Sequence, residues 1–530
     1  MRILLVSPEF PVTYWGLQHG LRAAGKRASL PPLGLITVAA LLPQAWEFRL
    51  VDMNIEPLED EALRWADAVL VGGMLIQAPS MREALRRARA LGRRTVVGGP
   101  APTTAPGAFA EADVVFAGEA EGRQDELAAL ISGAGVKGRP VVVPLRKQRP
   151  DVATSPVPRF DLLALDAYIG MAIQVSRGCP FNCEFCDIIE IFGRVPRVKT
   201  ATQILAELDA LFLQGWRGSL FIVDDNFIGN IKAVRKLLPP IAEWQRARGR
   251  PMELYTEATV NLAADDALVA SMVQAGFTSV FLGIETPSEA SLRETQKTQN
   301  LRSPLDQAVL KLTRAGLEVM GGFIVGFDAD GPGAFDAQRD FLADSPIPMA
   351  MVGLLTALPG TQLWRRLERE GRLRAARDEV SGEQMERPNF VPAMDEAILL
   401  RGYADLVGDL YSIDGFVRRC EAYLASAPTP LEGHPMRPGS WITFLRTIWL
   451  LGVKSPRRRM FWSLLFRAAR RSRAHVYWAV VKAVQGEHFV RFTEEVVLPR
   501  LARAIAQVEA EPRVPVSGPL AVIGSLRAMT

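Results

Sequence analysis

The chain has 530 residues, of which 48% are hydrophobic, and its 62 Lys and Arg nearly balance its 58 Asp and Glu. This composition is typical of globular proteins and excludes a disordered chain, a collagen-like rod and a coiled coil. At roughly 100–200 residues per domain, the length predicts about three domains. Apolar runs such as Ile448–Val453 are far shorter than the ~18–20 residues that span a bilayer. The start, MRILLVSPEF, lacks the apolar core of a signal peptide, so we expect a cytoplasmic protein.

Residues 1–138 alternate short apolar runs with helical patterns, which predicts an α/β domain with a doubly wound, Rossmann-like parallel sheet. The predicted strands are Arg2–Val6, Phe48–Val51, Ala68–Val71, Thr95–Val97 and Val114–Ala117. Ligands of such sheets bind at the carboxyl ends of the strands. At those ends this chain carries Gly72, Gly73, Gly98, Gly99, Pro100, Gly118 and Glu119. The glycines would let a bulky ligand approach the backbone closely.

The rest of the chain divides into three predicted parts. Residues 139–168 are rich in proline and are predicted as an extended linker. Residues 169–384 repeat a strand–helix pattern six times, which predicts a partial (β/α)6 barrel of the TIM type with its chemistry at the carboxyl ends of the strands. The polar residues that fall there are Asp224, Asp225, Asn226, Glu257 and Glu285. Residues 385–530 lack a strand pattern and are predicted as a helical C-terminal domain.

Three of the four cysteines follow the first predicted barrel strand with C-x3-C-x2-C spacing: Cys179, Cys183 and Cys186. Three thiolates on one loop can hold three irons of a four-iron cluster, and the fourth iron then stays free for a substrate or cofactor. Structural zinc is the alternative, but such sites use four ligands. The only other thiol, Cys420, lies more than 230 residues away. The spacing therefore predicts a [4Fe-4S] cluster.

The C-x3-C-x-aromatic-C loop after the first strand of a six-unit barrel resembles the radical S-adenosylmethionine (radical SAM) superfamily. The flanking segments resemble its cobalamin-dependent branch, and the hopanoid C-2 methylases in particular. The segments that carry this resemblance are PEFPVTYWGLQHGL, LPPLGLITVAALLP, RLVDMN, SRGCPFNCEFCDI, VDDNFIGN, LGIETP and GGFIVGFD. The resemblance implies three cofactors: a [4Fe-4S] cluster, S-adenosylmethionine and cobalamin.

The resemblance also implies roles for residues of the barrel. The three cysteines would bind the cluster. S-adenosylmethionine would contact Phe185, Asp224, Asp225, Asn226, Glu257, Glu285, Gly322 and Gly326. Two alternatives stay open from the residues themselves. The Asp224–Asn226 segment could cap the helix that follows, and the two glycines could serve barrel packing alone.

Cobalamin is implied by the resemblance, because a doubly wound domain alone could equally bind a nucleotide or nothing. The implied contacts are the glycine-rich strand ends with Pro100 and Glu119, and the loop Met74–Gln77, which would face cobalt with Met74 and Gln77. The chain has four His and no D-x-H-x-x-G motif, so no His of that motif can bind cobalt. We predict that His19 is not a ligand either. Electron paramagnetic resonance of the cob(II)alamin form should then lack nitrogen superhyperfine splitting, and splitting that disappears in His19→Ala would contradict this.

The resemblance implies C-methylation of an unactivated carbon in a hydrophobic, polycyclic, hopanoid-like lipid. The alternative is ring contraction, cyclisation or another rearrangement on the same cofactors without methyl transfer. Methylthiolation of RNA is excluded because the N-terminal domain has no cysteines for a second cluster. The expected partners are a small hydrophobic substrate and an electron donor such as flavodoxin or ferredoxin, and no nucleic acid.

Residues 439–486 suggest a further partner, because they combine aromatic with basic residues and contain no Asp or Glu. Such a composition suits the surface of an anionic bilayer. The aromatic residues are Trp441, Phe444, Trp449, Phe461, Trp462, Phe466 and Trp478, and the basic ones are Arg446, Lys454, Arg457, Arg458, Arg459, Arg467, Arg470, Arg471 and Arg473. We expect peripheral contact with the inner face of the membrane. The alternative is a helical domain whose aromatics pack on the barrel.

Overall fold

The computed structural model describes residues 1–133, 140–374, 384–429 and 440–511. The predicted boundary between residues 138 and 139, residue 439 of the aromatic and basic segment, and the predicted helical residues 512–530 lie outside these ranges.

The first part of the chain forms a parallel sheet of six strands. The strands are β1 Arg2–Ser7, β2 Glu47–Asp52, β3 Ala68–Gly72, β4 Arg94–Gly98, β5 Val114–Phe116 and β6 Val141–Val143. Their order is β2-β1-β3-β4-β5-β6. The helices are α1 Gln18–Ala24, α2 Leu33–Leu41, α3 Asp60–Trp65, α4 Ala78–Ala90, α5 Pro100–Thr104 and α6 Gln124–Ser132. Along β1, Leu4 and Val6 pack into one hydrophobic core while Ile3 and Leu5 pack into another, so both faces of the sheet are covered. The predicted doubly wound sheet is confirmed.

Strand β6 lies inside the segment predicted as a linker. Val141, Val142 and Val143 pair with Val114, Val115 and Phe116 of β5. Three residues are too few for a periodic signal, and the neighbouring prolines masked the strand in the sequence. The sheet therefore ends one strand beyond the five predicted.

The second part forms an open barrel of six parallel strands in the order β14-β13-β12-β11-β10-β7. Its strands are β7 Gly170–Ile173, β10 Gly218–Ile222, β11 Met252–Ala258, β12 Phe277–Glu285, β13 Glu318–Val325 and β14 Met349–Leu354, while β8 Ser176–Arg177 and β9 Arg197–Val198 form a separate antiparallel pair. The helices are α7 Ile188–Ile191, α8 Ala201–Leu213, α9 Ile231–Ala247, α10 Asp266–Gln274, α11 Glu289–Glu294, α12 Leu305–Arg314, α13 Ala334–Asp344 and α14 Gln362–Arg369. The predicted partial barrel is confirmed, and its first strand ends at Ile173.

Strict alternation along the barrel strands decides which side chains face its interior. In β11, Met252, Leu254, Thr256 and Ala258 are buried, while Glu253, Tyr255 and Glu257 are only partly covered. Successive side chains of a strand point to opposite faces of a sheet. The partly covered set therefore lines the concave interior, with Glu257 nearest the carboxyl end.

In the described residues after 385, helices are the regular structure, and Phe390 forms one isolated bridge with Leu373. The helices are α15 Glu396–Leu410, α16 Ile413–Ser426, α17 Ser440–Thr447, α18 Arg458–Arg471, α19 Ala474–Phe492 and α20 Leu498–Ala510, with π-helical turns at Ile448–Lys454 and Thr493–Val497. Helix α19 docks at the amino end of β13, where the Trp478 indole donates to Glu318 at 2.5 Å and Lys482 pairs with the same carboxylate. Across the ranges that the structure covers, no helix combines the length and apolarity needed to cross a bilayer.

The loop after β1 joins all three parts of the molecule. The buried Tyr14 ring stacks on Tyr411 at 4.5 Å, and its hydroxyl shares a 2.7 Å hydrogen bond with Thr493. The next residue, Trp15, lies edge-on to Phe281 of the barrel, with ring centroids 5.0 Å apart. One aromatic residue therefore fastens the loop to the C-terminal helices, and its neighbour reaches the barrel.

Candidate active site

The three clustered cysteines lie on the loop between β8 and β9, which folds tightly. Gly178 has φ of 97°, and a Cβ there would lie 2.8 Å from the carbonyl oxygen of Gly193. The Cys179 amide donates to the same oxygen at 3.2 Å, and the Cys186 amide donates to the Cys183 carbonyl at 3.2 Å. Only glycine fits this left-handed, crowded position. Gly178 therefore allows the loop to turn immediately before its first thiol.

The surroundings of the thiols fit a four-iron cluster. The Asn226 amide approaches the sulfur of Cys179 at 3.8 Å, and the Gln299 amide approaches that of Cys183 at 3.6 Å. Amide donors aimed at sulfur stabilise cluster thiolates. Burial raises the pKa of the Cys179 and Cys186 thiols, so their thiolates need a positive partner such as iron. Within the described ranges, no three His, Cys, Asp or Glu side chains form a group that could hold a single metal ion.

Two neighbours of the third cysteine hold the loop against the barrel. Glu184 forms a 2.7 Å ion pair with Arg366, and its backbone carbonyl accepts from the Leu363 amide at 2.9 Å. The ring of Phe185 lies 6.1 Å from that of Phe327 and packs on the hydrophobic cluster around it. The loop is therefore anchored on this side by an ion pair, a backbone hydrogen bond and an aromatic contact.

The adjacent carboxylates Asp224 and Asp225 have different environments. Asp224 is buried and accepts from the Val175 amide at 2.7 Å and the Ser176 hydroxyl at 2.6 Å. Asp225 has a buried carboxylate oxygen without a hydrogen-bond partner among the described residues. Burial, followed by the charge of Asp224, raises the pKa of Asp225 to about 7. Asp224 therefore braces the strand end that leads to the cysteines, and Asp225 is the carboxylate left free for a cation.

The side chains of this segment do not cap the helix that follows, which was the alternative for Asp224–Asn226. Asn226 begins a short 3-10 turn, Phe227–Asn230, without a side-chain capping bond. Its amide points to Cys179 instead. The segment thus lies against the cysteine loop.

Two further carboxylates complete the acidic edge of the barrel. Burial, and then the charges of Asp225 and Asp224, raise the pKa of Glu257 to about 8. Glu285 has φ of 64° at the end of β12, and Lys297 pairs with it at 2.5 Å. Burial alone would lower the pKa of Lys297, but Glu285 and the nearby Cys183 outweigh it and raise that pKa. The structure therefore brings the carboxylates predicted on three different strands to one edge.

Lys297, Gln299 and Arg177 belong to this site, and the sequence analysis missed them. Lys297 lies 5.8 Å from the ring of Phe185 and contacts Glu285. Lys297 and Gln299 follow a helix in a loop without any motif, so no periodic or spacing signal identifies them. Arg177 stands two residues before Cys179 in the recognised segment, where proximity to the motif was the only clue.

The structure gives the two predicted glycines packing contacts. A Cβ on Gly322 would lie 2.6 Å from the Phe281 ring, so this glycine makes room for that ring inside the barrel. Gly326 has φ of 98°, and its amide donates to Asp330 at 2.9 Å. Both observations favour the barrel-packing alternative. A contact with S-adenosylmethionine stays a prediction for each.

The carboxyl ends of β3, β4 and β5 carry a group of glycines. We call this surface the glycine rim and define it as Gly72, Gly73, Gly98, Gly99 and Gly118. Gly72 pairs with Gly98 in parallel register. Gly99 has φ of 98°, and a Cβ there would lie 3.1 Å from the Gly73 carbonyl oxygen. Gly118 has φ of 90° and precedes Glu119 on the neighbouring strand end. Side chains of the protein pack against some of these glycines, Leu35 beside Gly72 and Leu145 beside Gly118, and a contact of this rim with cobalamin stays a prediction.

The loop after β3 lies between this rim and the cysteine loop. Met74 is 53% exposed, whereas Gln77 is buried. The Gln77 side chain accepts from the Met74 amide at 2.9 Å and donates to the Pro8 carbonyl at 2.7 Å. The Gln77 amide is thus used in hydrogen bonds that hold the loop. Met74 is the side chain that remains accessible to a ligand. Leu75 packs on the same hydrophobic cluster as Phe185, so this loop and the cysteine loop meet.

The raised pKa of Glu257 predicts a pH dependence of stability. The folded protein holds its proton up to about pH 8, whereas the unfolded chain releases it near 4.5. Between these values the folded state binds more protons, so the cofactor-free protein should lose stability as pH rises. In Glu257→Gln the thermal midpoint should fall less steeply between pH 5 and 8 than in the wild type.

The matched control is Glu289→Gln, because that carboxylate is exposed on α11. Its midpoint should follow the wild-type curve. Equal slopes for the wild type and Glu257→Gln would show that Glu257 carries an ordinary pKa.

Three family descriptions match consecutive parts of the chain. Residues 26–128 match the B12 binding domain, residues 173–337 match the radical SAM superfamily, and residues 361–499 match a domain of unknown function, DUF4070. The first two coincide with the glycine rim and the cysteine-bearing barrel.

Curated relatives match almost the whole chain. An uncharacterized methyltransferase of Synechocystis is 40% identical over 93% of this chain and 92% of its own length. The hopanoid C-2 methylase of Rhodopseudomonas palustris is 34% identical over 93% of this chain and 94% of its own length.

Solved structures share the fold. The radical S-adenosylmethionine methyltransferase TsrM from Kitasatospora setae, solved with cobalamin and a [4Fe-4S] cluster, superposes with a TM-score of 0.54 at 18% identity, over 71% of this chain and 76% of that one. The cobalamin-dependent enzyme OxsB, solved with aqua-cobalamin and S-adenosylmethionine, gives 0.57 at 14% identity, over 96% and 83%. With the relatives above, these findings show that the chain belongs to the cobalamin-dependent radical SAM methyltransferases, which use a [4Fe-4S] cluster, S-adenosylmethionine and cobalamin.

Proposed function

We propose that this enzyme methylates an unactivated carbon of a hydrophobic, polycyclic lipid of the hopanoid type. The hopanoid C-2 methylase is a full-length relative at 34% identity, and this observation carries the proposal. The curated relatives described above are methyltransferases, which favours methyl transfer over the ring contraction or cyclisation considered above.

The aromatic interior of the barrel supports an apolar, polycyclic substrate. Phe221 of β10 stacks on Tyr255 of β11, with centroids 4.7 Å apart and an interplanar angle of 7°. Tyr255 shares the inward face of β11 with Glu257. Phe281 and Trp15 add a second aromatic pair, and Trp15 is 53% exposed. Such a wall suits a fused hydrocarbon ring system, because aromatic faces bury large apolar area.

Different residues of the chain would bind the cluster, S-adenosylmethionine and the substrate. We assign the cluster to Cys179, Cys183 and Cys186, and the methionine ammonium of S-adenosylmethionine to Asp225. Glu257 and Glu285 would face the rest of S-adenosylmethionine, and Phe185 would lie beside its adenine. When bound, the three cofactors supply a radical that removes a hydrogen atom from carbon and a methyl group that replaces it. The aromatic wall would hold the target carbon in place and exclude water.

The test is a purified, anaerobically reconstituted enzyme given a hopanoid and, in parallel, a tetrapyrrole. With flavodoxin or ferredoxin as the proposed electron donor, the hopanoid should gain the mass of one CH2 unit. S-adenosylhomocysteine and 5′-deoxyadenosine should each form in amounts equal to the product. A product without S-adenosylhomocysteine would favour rearrangement chemistry, and methylation of the tetrapyrrole alone would contradict the substrate class.

We also propose that the enzyme meets this substrate at an anionic membrane through the aromatic–basic face. We define this face as Trp441, Ile442, Leu445, Trp449, Val453, Trp462 and Phe466 with the basic residues between them. Trp441, Trp449 and Phe466 are 56%, 54% and 65% exposed. Single exposed apolar side chains are common on protein surfaces, but several that are grouped in one segment indicate an interaction surface. Arg458 and Arg459 are exposed beside Trp462 and line the same open groove.

Some of the residues predicted for membrane contact do not belong to this face. Phe461 is buried, and the Trp478 indole is engaged by Glu318. Arg457 is mostly buried in ion pairs with Glu487 and Glu494. For these residues the packing alternative holds. The proposal therefore rests on the outward-facing half of the segment.

Flotation with liposomes tests this face. The wild type should bind anionic vesicles, and more weakly at high salt. Replacing Arg458 and Arg459 with Glu should weaken binding by roughly 30-fold, because each basic residue contributes about 1 kcal/mol at an anionic surface. Trp449→Ala should weaken it further.

The matched control replaces Arg64 and Arg86 with Glu. Both are exposed on helices of the first sheet, and neither belongs to the aromatic–basic face. A folded wild type that ignores anionic vesicles, or equal binding by the two double variants, would contradict the membrane proposal.

A further inference from the structure

We propose that a buried ion-pair network positions the cysteine loop against the glycine rim, so that radical formation and methyl transfer act on the same carbon. The network consists of Glu119 and Glu121, which follow β5 of the first sheet, and of Arg177 in β8 and Arg197 in β9, the two strands that flank the cysteine loop. We call it the bridging network. The inference rests on the proposed function for the methyl transfer, and on the structure alone for the position of the loop.

The geometry of the bridging network is close and mutual. Arg177 pairs with Glu121 at 2.8 Å and with Glu119 at 2.8 Å, and Arg197 pairs with Glu119 at 2.9 Å. Both carboxylates are 3% exposed, and the two guanidinium groups are 13% and 14% exposed. Two cations thus face two anions inside the protein. The guanidinium of Arg177 donates two hydrogen bonds to Glu121, an arrangement that fixes direction as well as distance.

Each member is fixed to its own part of the molecule. Arg177 also donates to Gln174 at 2.7 Å, and it precedes Cys179 by two residues. Arg197 donates to the Phe192 carbonyl at 3.0 Å, at the base of the cysteine loop. On the other side, Glu119 follows Gly118 at the rim. The bridging network is therefore a short, rigid connection between the residues assigned to the cluster and those assigned to cobalamin.

An unused atom points to a role beyond packing. The second carboxylate oxygen of Glu119 is buried and has no hydrogen-bond partner among the described residues. A buried acceptor without a donor is costly, so such an atom indicates a group that is supplied on binding. The amide side chains around a corrin ring are donors of the right kind. Glu119, predicted to contact cobalamin, would then touch both the cofactor and the arginines that hold the cluster loop.

The bridging network should affect the reaction by aligning the cluster site with the cobalamin site. The substrate radical must form and accept a methyl group while the two cofactor sites face the same carbon. Misplacement by about 1 Å can cost roughly 100-fold in rate. Loosening the bridging network should therefore leave each cofactor bound and uncouple their actions. We assign Arg177 and Glu121 as positioning residues.

The experiment compares Glu121→Gln and Arg177→Lys with the wild type, each with its cluster and cobalamin bound. Glu121→Gln keeps the shape of the side chain and removes its charge, so it should fold if Arg177→Lys does not. Iron and cobalamin contents should match the wild type. The control is Glu289→Gln, which removes the carboxylate of an exposed ion pair with Arg293 on α11.

Two measurements report position. The first is microwave power saturation of the cob(II)alamin resonance with the cluster oxidised and reduced, which depends on the distance between the two centres. In the wild type and the control, reduction of the cluster should change the power saturation of the cob(II)alamin resonance. In Glu121→Gln and Arg177→Lys the size of this change should differ from that in the wild type. The second is the ratio of 5′-deoxyadenosine to methylated product, which should rise roughly tenfold or more.

Wild-type saturation behaviour in Glu121→Gln would overturn the inference. The inference would also be overturned if cluster reduction left the cobalamin resonance of the wild type unchanged. The cluster and cobalamin would then be too far apart to interact. If the saturation changes as expected but the wild type forms no methylated product, the proposed function fails and the inference about position stands. Loss of iron or cobalamin from Glu121→Gln would reduce the network to a purely structural role.

Discussion

Replacing Cys179, Cys183 and Cys186 together with Ala should abolish the cluster and all activity. The three thiols are the only cysteines on the loop, and two of them already receive amide hydrogen bonds. Without thiolates, iron has no ligands there. We expect iron content, the cluster absorption and 5′-deoxyadenosine formation to fall to the background of each assay.

Cys420→Ala is the matched control. Cys420 is a buried free thiol in α16, far from the loop in sequence. This variant should keep its iron and its activity, with a loss of stability of about 1 kcal/mol from the smaller side chain. A triple variant that retained its iron, or a Cys420→Ala protein that lost it, would show that the cluster is bound elsewhere.

Asp225→Asn should lower the affinity for S-adenosylmethionine, whereas Asp224→Asn should lower stability, although the two residues are neighbours. One buried carboxylate oxygen of Asp225 has no hydrogen-bond partner among the described residues, so we expect it to meet the ammonium group of S-adenosylmethionine. A hydrogen bond to a charged group contributes about 1.5–3 kcal/mol. Asp225→Asn should therefore weaken S-adenosylmethionine binding roughly 10- to 100-fold. The cofactor-free protein should be at least as stable as the wild type, because a buried charge is removed.

Asp224→Asn should act on stability instead. Both oxygens of Asp224 accept hydrogen bonds, from the Val175 amide and the Ser176 hydroxyl. An amide nitrogen in place of one oxygen would face a donor, at a cost of about 1–3 kcal/mol. Equilibrium dialysis with S-adenosylmethionine and thermal unfolding of the cofactor-free protein separate the two effects. If both variants lost affinity equally without a change in stability, the assignment of Asp225 alone to the ammonium would be wrong.

The prediction of the fold from sequence succeeded where the signal is local. The cysteine spacing is complete within eight residues, from Cys179 to Cys186. Strands such as Ala68–Val71 are continuous apolar runs that end in glycine, so their type and their carboxyl ends could be read directly. Strand β6 could not, because three valines between prolines carry no periodicity.

The roles of single polar residues depended on contacts that sequence does not contain. Glu119 was predicted beside cobalamin from its position after a strand, and it lies in ion pairs with Arg177 and Arg197. Lys297 had no predicted role, yet it pairs with Glu285. These partners are separated along the chain by 58, 78 and 12 residues. Only the close approach of the cysteine loop, the first sheet and the barrel brings them together.

By itself, the sequence determined the two α/β sheets and the spacing of the three thiols, because apolar periodicity and short spacings act over a few residues. The tertiary structure decided which of two adjacent carboxylates is free and which aromatics of residues 441–478 face outward. Asp224 and Asp225 are the same residue type at adjacent positions. Their roles differ because only Asp224 accepts a hydrogen bond from the Val175 amide. Burial and hydrogen bonding at each position are set by whichever element packs against it, so they emerge only when distant parts of the chain meet.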